Sequence, residues 1–237
     1  MKSMRLAVAL IVAAASGSAW TSRSEAASRR AAPAVNQTED RSVSCLDNRD
    51  KGFASAEKLA FGTAPEGARR VSDHVLEVRT KAGVRRFVDR RPYRDGLDGF
   101  HWLYCGYDPG LKAHLIGVQD DSLFTGKLVF DGDGHMVDGG QTVYSSADGS
   151  QYLAESQVNG EYLSHWVVFD RAGRRLWAGL SGTDGTHNNT IEYGDLRWTP
   201  DDTLRATATC GDGKGETGEA ILVREGKTWR WKSDLRC

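Results

Sequence analysis

Six histidines, at His74, His101, His114, His135, His165 and His187, are the side chains best suited to acid–base or metal chemistry near neutral pH. No two are spaced as a helical ligand pair such as H-x-x-x-H. The chain also lacks a G-x-S-x-G nucleophile elbow, a phosphate-binding P-loop and the glycine fingerprint of dinucleotide folds. Asp131-Gly132-Asp133-Gly134 has the D-x-D spacing of calcium loops. An EF-hand loop carries Glu at its twelfth position. Counted from Asp131, that position is Thr142. The same run reads more simply as a hairpin turn, since Asp170 to Gly173 occupies the equivalent place in the next unit of the chain. The sequence thus nominates no catalytic residue, no metal ligands and no cofactor.

Two stretches are candidates for binding. From Ser181 to Tyr193 the chain is dense in hydrogen-bonding groups, with Asp184, His187, Asn188, Asn189 and Glu192 as the residues suited to contact a partner. It inserts about thirteen residues between two similar units, and insertions between repeats cluster on one face and carry recognition. The alternative is a solvated loop closed by local Asx turns. Asn188-Asn189-Thr190 has the N-x-T order of a glycosylation acceptor, a match that would mean little in a bacterial context. The second stretch is basic and aromatic: Arg86, Arg90, Arg91 and Tyr93, with Arg85, Arg94 and Trp102 near them. It suits an acidic protein partner or a sugar polymer, or else it is a solvated hairpin face with one aromatic anchor.

The elements that must position these residues are strands. Val143 to Gly179 contains three runs rich in Val, Tyr, Trp and Phe. Ala147-Asp148-Gly149, Asn159-Gly160 and Arg171-Ala172-Gly173 separate and close them. Asp-Gly and Asn-Gly tolerate the positive φ of tight turns, so the stretch reads as an antiparallel meander. The unit recurs. Leu196 to Asp202 and Ala220 to Gly226 mirror it downstream, with Trp231 in the place of Trp177. Tyr107 to Gly110 and Lys127 to Gly134 mirror it upstream, and Val75 to Phe87 is one further hairpin. The pattern of an S-x-D-G turn, a D-x-x-G turn and a closing Trp resembles the blades of bacterial periplasmic β-propellers of the TolB-like and YncE-like kind, over roughly residues 70–233. The resemblance implies an all-β, propeller-like fold of repeated hairpins and no particular function, because propellers serve many. A β-sandwich of repeated hairpins is the alternative. Phe53 to Phe61 has helical spacing and is expected to form a short N-terminal helix that closes one end of the β-structure.

Cys45, Cys105, Cys210 and Cys237 permit three pairings. Cys45–Cys105 with Cys210–Cys237 is the preferred one, because it ties each end of the domain to its nearest unit. Without a C-x-x-C pair, a zinc site is disfavoured.

Met1 to Ala19 reads as a secretory signal peptide, with Lys2 and Arg5 ahead of a short apolar run and small residues at the cleavage region. Residues 20–44 read as a disordered linker and residues 45–237 as a single all-β domain. The expected location is therefore the periplasm or the cell exterior, where disulfides form. A net charge of −1 gives no field to hold nucleic acid. No run beyond the leader is long enough to span a membrane. These features lead to the expectation of a non-enzymatic binding protein for a protein partner, such as an inhibitor or immunity protein against a secreted cell-wall hydrolase. An exported hydrolase, for example a glycosidase, and a structural envelope component are the alternatives.

Overall fold

The computed structural model describes residues 42–47, 52–64, 67–91, 93, 99–120, 123–157, 164–180, 191–211, 215–226 and 228–236. The expected leader, the turn at Asn159-Gly160 and Cys237 lie outside these residues, as does the polar loop as far as Thr190.

The chain is all-β with one short helix. In order the elements are β1 (Ser42–Ser44), α1 (Phe53–Phe61), β2 (Ala68–Ser72), β3 (Val75–Thr80), β4 (Gly83–Val88), β5 (Phe100–Asp108), β6 (Ala113–Asp120), β7 (Leu123–Phe130), β8 (Met136–Asp138), β9 (Thr142–Ser145), β10 (Gln151–Gln157), β11 (Ser164–Asp170), β12 (Arg175–Leu180), β13 (Ile191–Trp198), β14 (Leu204–Cys210), β15 (Thr217–Glu225) and β16 (Thr228–Ser233). They form four antiparallel sheets: β2-β3-β4, β5-β6-β7-β8, β1-β9-β10-β11-β12 and β13-β14-β15-β16. Apart from β1, each sheet is a meander of strands consecutive in sequence, as the repeated turn chemistry leads one to expect.

Period-two alternation explains how the sheets stack. Successive side chains of a strand point to opposite faces. On β6, Leu115 enters a core shared with the β1/β9–β12 sheet, while Ile116 enters a core shared with the β2–β4 sheet and α1. On β10, Tyr152 and Ala154 join the first of these cores, and Leu153 joins a third with Trp166, Leu204 and Leu222, shared with the β13–β16 sheet. The two inner sheets are thus buried on both faces and the two outer sheets on one. Among the described residues no core joins the two outer sheets to each other.

The repeated turns also stack. The amide of Asp148 donates to Oδ1 of Asp202 over 3.2 Å, and a Cβ on Gly149 would lie 2.3 Å from the carbonyl oxygen of Gly110. The turns that open three successive units therefore touch along one edge. At the next turn, Gly134 donates its amide to Phe130 and has φ 69°, so Asp131 to Gly134 is the expected hairpin turn. Tryptophans close the units by packing between sheets: Trp177 and Trp231, at equivalent places, meet edge-on at 6.4 Å.

One boundary needs correction. Residues 42–44, expected at the end of a linker, form β1 and pair with β9 through Val43↔Val143. A three-residue Ser-Val-Ser strand is too short to show alternation, and only its partner makes it a strand. Cys45 follows it at once and is bonded to Cys105 on β5. The disulfide lies over Gly117 of β6, where a Cβ would meet both sulfurs at 3.1 and 3.3 Å. Cys210 is disulfide-bonded as well, and its expected partner is outside the described residues.

Candidate functional site

Where α1 crosses the ends of the first two sheets, a cleft of about 520 Å³ opens. Its construction begins with two buried carboxylates. Glu57, on the inward side of α1, accepts from Nε and Nη2 of Arg70 at 2.8 and 2.9 Å, and its Oε1 also takes the backbone amide of Tyr104 at 2.7 Å. Arg70 reaches on to the carbonyl of Trp102. Phe61, one turn further along α1, stacks on Tyr104 at 5.1 Å. The short helix is thus held by one ion pair and one aromatic contact.

Asp89 lies just past β4, with only 3% of its side chain exposed. Its Oδ1 accepts the amide of Trp102 at 2.9 Å. Its Oδ2 faces Nδ1 of His101 at 3.3 Å and Nδ1 of His74 at 3.4 Å. The fold therefore gathers two histidines, 27 positions apart by number, onto one carboxylate. Carboxylate oxygens surrounded by donors in this way serve as joints between elements: Glu57 joins α1 to β2 and β5, and Asp89 joins the β2–β3 turn to β5.

Lys58 of α1 and Asp73 of the β2–β3 turn also line the cleft. Their charged ends make no ion pair among the described residues. Phe61, Leu103 and Ala54 supply apolar wall. Glu57 lines a second, smaller depression of about 200 Å³ on the other side of α1, beside the disulfide.

Along the rim runs part of the basic, aromatic segment. Arg90 is tied to Phe100 by a backbone bridge, and its guanidinium lies 4.3 Å from that ring centre. It also approaches Asp120 at 3.8 Å. Arg91 lies 5.3 Å from the ring centre of Tyr93, which stacks on His74 at 3.6 Å. The structure separates Arg86 from this group. Arg86 projects from the outer face of its sheet, where it and Arg69 bond the buried Glu77 at 2.7 and 2.8 Å and hold that carboxyl below its ordinary range.

Of the polar-loop residues, Asp184, His187, Asn188 and Asn189 lie outside the described residues, and Glu192 is exposed near the start of β13. No group of three or more His, Cys, Asp or Glu among the described residues is arranged to hold a metal ion. No described helix is long and apolar enough to cross a membrane.

Glu57, Lys58, Arg70, Asp73, Asp89, His74 and His101 were not singled out as a site by sequence. Their partners come from different elements, and no spacing within any one element announces them. The nearest signal is Asp89 itself, one acid inside the basic run from Arg85 to Arg94. No family model, no curated protein and no solved structure matches this chain.

Proposed function

We propose that this is an exported, non-enzymatic binding protein that presents Arg90, Arg91 and Tyr93 to an acidic surface of a protein partner. The observation that carries the reading is the ladder in which Arg91 lies over Tyr93 and Tyr93 over His74. Arg91 is exposed, makes no ion pair among the described residues, and is held by stacking. Tyr93 is 40% exposed. Arginine and tyrosine carry much of the energy of protein interfaces, and side chains already held in place lose less entropy on docking. The disulfide between Cys45 and Cys105 supports export. An inhibitor or immunity protein that blocks a secreted cell-wall hydrolase is one concrete form. The two buried cleft carboxylates support a binder over a glycosidase, because Glu57 is committed to Arg70 and a backbone amide, and Asp89 to two imidazoles and a backbone amide.

The test compares the oxidised protein with an R90S/R91S/Y93S variant of the same thermal stability. Each is immobilised and exposed to envelope and culture proteins. The expected result is one stoichiometric partner on the native protein, released by salt and lost at least about tenfold in affinity with the variant. Equal capture by both proteins would remove the rim from the interface. No partner, together with turnover of cell-wall glycans, would replace this reading with the hydrolase.

A further inference from the structure

The cleft beside the rim has a different chemistry from the rim. Its two buried carboxylates already have partners. Arg70 answers Glu57, and the two imidazoles face Asp89. Two charged groups are left over, of opposite sign and on different elements: the ammonium of Lys58 on α1 and the carboxylate of Asp73 on the β2–β3 turn. The same lining includes apolar Ala54, Phe61 and Leu103, and the polar Gln119. A polyanion or polycation would satisfy one of these groups and be repelled by the other. A ligand that carries both charges and an apolar body satisfies both. At about 520 Å³ the space is that of a small-ligand pocket, too small for a folded domain.

We propose that the cleft binds a short zwitterionic peptide with an apolar side chain, its terminal carboxylate on Lys58, its terminal amine on Asp73, and its side chain against Phe61 and Leu103. The ion pair at Glu57 and the hydrogen-bonded joint at Asp89 tie the elements that line the pocket to one another. Such preorganisation lets a small ligand bind without first paying to order the site.

The experiment is a calorimetric titration of the intact, oxidised protein with Ala-Leu-Ala in four forms: both termini free, N-acetylated, C-amidated, and blocked at both ends. The free peptide is expected to bind saturably at one site. Acetylation and Asp73→Asn should each weaken binding by about three- to tenfold, and the acetylated peptide should lose nothing further in the Asp73→Asn protein. Amidation and Lys58→Met should form the same closed cycle. Lys58 and Asp73 are exposed, so both variants should melt with the native protein. If a variant does not fold, the blocked peptides on the native protein decide the matter alone. No saturable binding of the free peptide, or equal binding of the doubly blocked one, would overturn the proposal. Free leucine in the same titration binding as tightly as the peptide would overturn the peptide and leave an amino-acid site.

Discussion

Glu57 and Arg70 form a two-pronged ion pair that ties the only helix among the described residues to the sheets, with 10% and 23% of their side chains exposed. A nine-residue helix without a side-chain N-cap has little stability of its own. It persists because this pair and the Phe61–Tyr104 stack hold it.

Replacing Glu57 by Ala leaves a largely buried guanidinium without its partner. The expected cost is about 3 kcal/mol, in the range for breaking one side of a buried pair. Amide exchange should rise first in α1, because the helix loses its anchor before the sheets do. Denaturant titration and hydrogen exchange on E57A check this together, and unchanged protection in α1 would show that the helix stays without the pair.

Gly126 on β7 meets Gly140 so closely that an added Cβ would lie 1.8 Å from the carbonyl oxygen of Gly140. That oxygen is backbone and cannot step aside. Gly126→Ala is therefore expected to destabilise by more than about 3 kcal/mol, or to prevent folding, an effect at the upper end of overpacking. Gly132 has open space around its Cα and serves as the control. G132A should leave the melting temperature nearly unchanged.

His114 is 1% exposed and shares a 2.9 Å hydrogen bond with the hydroxyl of Tyr104. Burial pushes its pKa down to about 4. The unfolded chain takes up this proton near pH 6.5 and the folded chain does so only near 4, so unfolding binds a proton between those values. The contribution is complete above about pH 6.5 and is lost as the pH falls towards 4, to the extent of roughly 3 kcal/mol. Urea titrations at pH 7.5 and 4.5 should show the fall, and His114→Gln should reduce it. An equal fall in H114Q would assign the effect to other groups.

The Cys45–Cys105 bond spans 60 positions and ties β1 to β5. Closing a loop of that length restricts the unfolded chain by about 4 kcal/mol in the loop-entropy account. The paired substitution C45S/C105S should lower the denaturation midpoint accordingly. Because β1 is only three residues long, it should be the first strand to lose protection. A midpoint unchanged by the double substitution would mean that β1 contributes nothing the disulfide needs to secure.

Much of the architecture was legible because it is local. Asp148-Gly149, Asp131 to Gly134 and Arg171 to Gly173 mark turns by backbone chemistry that a neighbouring residue or two can declare. Alternating apolar residues between them declare strands, and the spacing in Phe53 to Phe61 declares a helix. The sequence by itself therefore determined an all-β chain of repeated meanders, its short helix and the turns that bound its units. It did not show that Ser42–Ser44 is a strand, since β1 exists only through its pairing with Thr142 to Tyr144, about a hundred residues away.

The cleft belongs wholly to the tertiary structure. His74 and His101 meet at Asp89, and Glu57 meets Arg70, across different elements, and each pairing depends on how the first two sheets and α1 come together. The same packing made the Arg86 side of its sheet the outer one and left Arg90, Arg91 and Tyr93 at the rim, although all four sit in one basic run. Strand alternation decides which face a side chain takes, but only the stacking of sheets decides what that face meets.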